Sequence, residues 1–168
     1  LEGGTWNADN VILFASSKGL QRVTALGGDA TPLTVGQSSP DTHRLAPYFL
    51  PDGRHFLYLE TPAEAANGAI YVGSLDSKDA TRLVAAQSNA VYAEPGYLLF
   101  HREGTLYAQP FNARKLSLTG DAIRIADRLP SDSKGAAAFA ASLNGTLIFR
   151  SALSAPTANG SPTIANIV

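Results

Sequence analysis

The residues of this chain that could do chemistry are scattered along it. The three histidines, His43, His55 and His101, show neither HxH nor HExxH spacing, so no short segment presents two imidazoles to one metal ion. No GxSxG stretch occurs, and a serine such as Ser74 lacks the strand-elbow-helix setting of an activated nucleophile. His101-Arg102-Glu103 superficially matches a kinase catalytic loop. No asparagine follows at the required offset, no Asp-Phe-Gly comes later, and no Gly-rich loop accompanies a strand lysine. Cysteine is absent, which removes disulfides, zinc thiolates and a thiol nucleophile. Asp9, Asp52 and Glu94 recur at a regular interval that would suit a ring of Ca²⁺ ligands. Aspartate in a tight turn, however, first bonds its own backbone, and a turn role is our reading of them. On these grounds the chain is expected to be no enzyme, to need no cofactor and to hold no metal.

Composition narrows the class. The 168 residues suffice for one domain with a real core, and 45% of them are apolar against 16% charged. Thirteen basic residues face 14 acidic ones, a net charge of −1, which gives no electrostatic reason to expect nucleic acid or an anionic membrane as partner. No stretch approaches the roughly 18 apolar residues of a spanning helix, so no membrane span is expected. LEGGTWNADN has neither a basic start nor an apolar run, unlike a secretory signal. Methionine is absent, even at position 1, and we read the chain as cut from a longer one.

The elements that must position any site announce themselves by rhythm. Ala8-Asp9-Asn10, Pro51-Asp52-Gly53, Glu94-Pro95-Gly96 and Leu143-Asn144-Gly145 are turns spaced 43, 43 and 49 residues apart. Each follows a short segment bearing an aromatic, and each precedes a similar run: VILFAS, HFLYLE, YLLFHR and TLIFRS. Third strands then read LQRVTAL, AIYVGSL and TLYAQPF, and fourth strands ATPLTV, ATRLVA and AIRIAD. Asp-Gly and Asn-Gly favour the positive φ of tight hairpins. Runs apolar at nearly every position suit strands covered on both faces. Helical periodicity never lasts long enough to compete.

A β-sandwich also has short strands at 8–12 residue spacing. One four-strand order recurring at 40–50 residues favours a propeller instead. The expected fold is therefore all-β, a partial β-propeller of about three and a half four-stranded antiparallel blades. Residues 1–151 hold the blades, at about 4–43, 44–88, 89–135 and a partial 136–151. Residues 152–168, rich in Ser, Ala, Pro, Thr and Asn, read as an irregular tail. Within it TIANIV retains the option of pairing on an open edge. Trp6 is expected in the core.

FLPDGRHFLYLE, GAIYVGSLDSKDATRLV and GYLLFHREGTLYAQPFNARKLSLTG resemble the Asp-Gly propeller repeats of TolB. They resemble still more the TolB-like propellers attached to bacterial serine/threonine kinases. The resemblance covers about residues 4–151. It implies a six- to eight-bladed, non-catalytic propeller that binds protein partners or senses a ligand, as an interaction or sensor module of a larger bacterial protein. An extracytoplasmic, periplasmic location is implied by the same analogy. The alternative it leaves open is a non-catalytic propeller part of an enzyme, a serine/threonine kinase or a prolyl-oligopeptidase-like peptidase, whose active site lies outside this chain.

Long loops on a rigid scaffold are where binding resides. Those joining strand four to the next strand one, and strand two to strand three, include GQSSPDTHR, TPAEAANG, HREG and PSDSKG. Their polar residues Arg44, Glu64, Asn67, Arg102, Glu103, Asp132 and Lys134 are the binding candidates, for a protein partner or a small ligand at the propeller face. Three and a half blades cannot close a ring, so apolar faces would be left wet at both ends. A homodimer completing a pseudo-ring is one expected remedy.

Overall fold

The computed structural model describes residues 3–37, 41–63, 68–130, 136–142, 145–150 and 163–166. Among them there is no helix; the strands form four antiparallel sheets. The first contains β1 (Gly4–Trp6), β2 (Val11–Ser16), β3 (Gly19–Thr24) and β4 (Thr31–Pro32) in that spatial order. The second contains β5 (Thr42–Phe49), β6 (His55–Pro62), β7 (Gly68–Ser74) and β8 (Ala80–Ala86), again in order. In the third, β9 (Ala90–Ala93), β10 (Tyr97–Arg102) and β11 (Thr105–Asn112) are followed by two short partners of β11, namely β12 (Ser117–Leu118) and β13 (Ile123–Asp127). The fourth is β14 (Phe139–Ala141), β15 (Thr146–Phe149) and β16 (Thr163–Asn166). This is a partial β-propeller, each sheet a blade of consecutive strands.

The final strand lies where an irregular tail was expected. Within 152–168, residues 163–166 pair with β15 in register Thr146↔Asn166 to Phe149↔Thr163. The alternation-poor TIANIV segment takes the place of a third strand because β15 otherwise presents unpaired amides.

Local chemistry explains the turns. Asn10, Gly53, Gly96 and Gly145 occupy the same repeat position and all have positive φ, at 61°, 68°, 149° and 81°. Glycine reaches such angles freely and asparagine is among the few others that do. In the second blade Asp52 Oδ1 accepts the amides of Arg54 (3.0 Å) and His55 (2.9 Å). In the first blade Asn7 does the equivalent work: its Oδ1 accepts from the Asp9 and Val11 amides. Its Nδ2 also donates to the Gly53 carbonyl at 2.7 Å, tying two neighbouring turns together.

One rule governs how blades pack. Alternate residues of each second strand face opposite ways. Leu13 and Ala15 cluster with Phe56 and Tyr58 of the next blade; Leu57 and Leu59 with Leu98 and Phe100; Leu99 with Leu147 and Phe149. Each blade therefore has a forward face and a backward face, and the core sits between blades.

Two residues depart from expectation. Trp6, expected in the core, is 63% exposed, because it shares the backward face of the first blade, on which no other sheet of the described residues packs. His101, expected in a polar hairpin loop, lies in β10 opposite Leu106 and is only 2% exposed. Its parity in the strand puts it on the same face as Leu99, toward the fourth blade.

Candidate functional site

The end of the propeller that carries the β2–β3 hairpin and the connection into β5 holds a cleft of about 370 Å³ between the first two blades. Lys18, His43 and Arg44 line it, with the hydroxyl residues Ser16, Ser17, Thr34 and Thr42, over an apolar patch from Leu20 and Leu33. No carboxylate is among the lining residues. Each element delivers its residue for a local reason. Ser16 closes the hairpin by accepting the Lys18 amide (3.1 Å) and donating to the Gly19 carbonyl (3.2 Å), which holds Lys18 out at the tip. His43 and Arg44 are successive residues of β5, so one is exposed and the other buried.

Arg44 is held on three sides. Its Nε donates to Glu60 Oε2 at 2.8 Å, its Nη2 donates to the Gln37 carbonyl at 2.9 Å, and its guanidinium lies 5.8 Å from the Tyr58 ring centroid. Tyr58 stacks in turn on Tyr71, centroids 5.6 Å apart. Burial pushes the Tyr58 hydroxyl pKa up, with the Arg44 charge opposing and Glu60 adding to the rise.

The third blade repeats the device. Phe100 and Tyr107 stack at 5.6 Å, and the Arg102 guanidinium sits 4.9 Å from the Tyr107 centroid. Both arginines of the expected binding set thus serve as lids on stacked rings. Arg102 is the last residue of β10 rather than a loop residue. Glu103, exposed in the following turn with φ 52°, donates its amide to Gln87 Oε1 at 2.8 Å. Glu64, Asn67, Asp132 and Lys134 lie outside the described residues.

At the opposite end, beside the Asp-Gly turns, are two adjoining hollows of about 460 and 750 Å³ that share Pro51, Asp52 and Tyr92. The Tyr92 hydroxyl donates to Glu94 Oε2 (3.3 Å) and the Tyr48 hydroxyl to the Tyr92 carbonyl (3.3 Å). Burial raises both phenol pKa values, and the Glu94 charge adds to the rise at Tyr92. His55 Nδ1 lies 2.6 Å from Asp52 Oδ2. Burial would raise the Asp52 carboxyl, but hydrogen bonds from the His55 side chain and the His55 and Arg54 amides outweigh it and lower its pKa. This pair closes a turn. Among the described residues no three His, Asp or Glu side chains gather into a metal-binding cluster. No helix among them is long and apolar enough to cross a membrane.

Sequence reasoning missed the Lys18 contribution and the turn-end hollows. Both are built between blades, from residues some 25 to 45 positions apart, and no local pattern marks them. The exposed hairpin tip Ser-Ser-Lys-Gly was the available signal for Lys18.

The sequence matches no protein-family model and no curated protein. Solved structures do match. Regucalcin from Agrobacterium tumefaciens, a calcium-binding protein, superposes with TM-score 0.60 at 22% identity over 88% of this chain and 52% of its own. Hydrazine synthase from Kuenenia stuttgartiensis gives 0.59 at 12% identity, over 98% of this chain and 45% of its own. An oligogalacturonate lyase in complex with manganese gives 0.57 at 12% identity, over 93% and 44%. The chain thus spans about half the length of the structures it resembles. At these identities the likeness is one of fold: the chain has the β-propeller architecture.

The expectation that the chain is no enzyme requires correction. Oligogalacturonate lyase, an enzyme, has this fold across nearly the whole chain. Propellers place functional groups by bringing distant loops together, so the lack of a short catalytic motif is no ground for excluding catalysis.

Proposed function

We propose that this chain is an interaction or ligand-sensing segment of a TolB-like propeller, with the blades at 4–43, 44–88, 89–135 and from 136 onward as its units. Recognition occurs at the loop end, in the cleft between the first and second blades, and the ligand or protein partner presents an anionic group, carboxylate or phosphate. The observation that carries this reading is the lining of that cleft: Lys18, His43 and Arg44 with four hydroxyl residues and no carboxylate. Arg44 is neutralised by Glu60 and sets the floor. Lys18 and His43, both exposed, are left to meet the ligand.

The test is isothermal titration with inorganic phosphate and with an octaglutamate peptide at low salt. Binding that weakens at least tenfold in Lys18→Glu, and with rising ionic strength, is expected. Equal binding by wild type and Lys18→Glu, or none by either probe, would sink the reading.

A further inference from the structure

Two opposite charges line one hollow at the turn end and do not meet. The larger hollow there, about 750 Å³, lies at the boundary of the second and third blades, each of which packs against a blade on both faces. Its walls come from the Pro51-Asp52 turn, the Glu94-Pro95-Gly96 turn and the hairpin that follows β11. Asn112 shapes that hairpin: its Oδ1 accepts the amides of Arg114 (3.0 Å) and Lys115 (2.9 Å). Arg114 is left exposed at the hollow, and among the described residues its guanidinium has no hydrogen bond or ion pair. Glu94, half-buried, accepts one hydrogen bond, from the Tyr92 hydroxyl to Oε2 (3.3 Å), and among the described residues its Oε1 has none. Asp52, the other carboxylate of the hollow, is already engaged, Oδ1 by the Arg54 and His55 amides and Oδ2 by the His55 ring. Pro51, Pro95 and the edge-to-face pair of Tyr92 and Phe111, centroids 6.3 Å apart, supply the apolar part of the wall.

We propose that this hollow binds a short zwitterionic peptide, of dipeptide size, whose ammonium meets the Glu94 carboxylate and whose carboxylate meets the Arg114 guanidinium. A ligand with one charge would be attracted by one of these side chains and repelled by the other. A ligand with both charges gains a charge-assisted hydrogen bond at each end. The volume falls within the roughly 300–1,000 Å³ of small-molecule sites, and the proline and aromatic surface suits an apolar side chain between the two termini. The site lies at the opposite end of the propeller from the anion cleft and shares no residue with it, so either stands if the other fails.

The experiment is isothermal titration of the 168-residue chain at low salt with alanyl-leucine, its N-acetyl derivative and its C-terminal amide. Alanyl-leucine is expected to bind tightest and each derivative about tenfold more weakly, the effect of losing one hydrogen bond to a charged group. In Glu94→Gln the dipeptide should bind about tenfold more weakly, while the N-acetyl derivative binds as it does to wild type. In Arg114→Ala the dipeptide should weaken likewise and the amide bind as before. Circular dichroism confirms that each variant keeps its strand content. No binding of the dipeptide would overturn the proposal, as would equal binding of all three probes or variants that weaken all three alike. Tightest binding of the amide would show a site for cations, and of the N-acetyl derivative a site for anions; either would overturn the zwitterion assignment.

Discussion

Arg44 reaches Glu60 at 2.8 Å across β5 and β6, with both side chains largely shielded from water. A shielded pair costs little while both members are present and much when one is removed, since the survivor keeps its charge without its partner. Arg44→Met is expected to destabilise the chain by about 3 kcal/mol. Arg44→Met with Glu60→Leu should recover a large part of that loss. Urea denaturation of the single and double variants measures both.

His101 offers a pH-dependent term. It is buried on the face of β10 that carries Leu99, and among the described residues neither ring nitrogen has a hydrogen bond of good geometry. Desolvation lowers its pKa, the Leu129 backbone pulling the other way. The unfolded chain, with an ordinary imidazole near pH about 6.5, then binds the proton more readily than the folded one. Stability is full above that pH and falls as pH drops from it toward the lower folded value. His101→Leu should flatten this part of the melting-temperature profile and match or exceed wild type at neutral pH, because an unpaired buried polar group is gone. An unchanged profile would show that His101 does not contribute to the pH dependence of stability.

Gly73 pairs with Phe56 across β6 and β7, and a Cβ there would lie 2.9 Å from Phe56 Cζ. Phe56 has no room to yield: it is fully buried, edge-on to Phe49 at 6.3 Å and tilted against Tyr58 at 6.0 Å. Gly73→Ala is expected to cost about 1–3 kcal/mol by overpacking, read as a lower denaturation midpoint with an unchanged slope.

The rhythm of blades was legible in the sequence because its causes are local. Asp52 bonds the amides of its own turn, and the positive-φ positions fall on Asn10, Gly53, Gly96 and Gly145. Other features depend on what stands opposite a residue. Trp6 has the composition of a core residue and the surroundings of a surface one, because no sheet of the described residues packs on that face. His101 reads as polar, yet its place in β10 puts it on the same buried face as Leu99. Arg44 and Arg102 were legible as charged residues near loops, but not the stacked rings that capture them. The cleft with Lys18 needs two blades in place before it exists.

Blades pack by a rule of opposite faces: Leu98 shares a buried cluster with Leu57 of the preceding blade, whereas its neighbour Leu99 shares one with Leu147 of the following blade. Double-mutant cycles with Leu→Val substitutions test it directly, using folding free energies from urea denaturation. Leu57 with Leu98 should show a coupling of about 0.5 kcal/mol or more, and Leu57 with Leu99 additivity within about 0.3 kcal/mol. Coupling of Leu57 to Leu99 and not to Leu98 would contradict the radial arrangement of the blades.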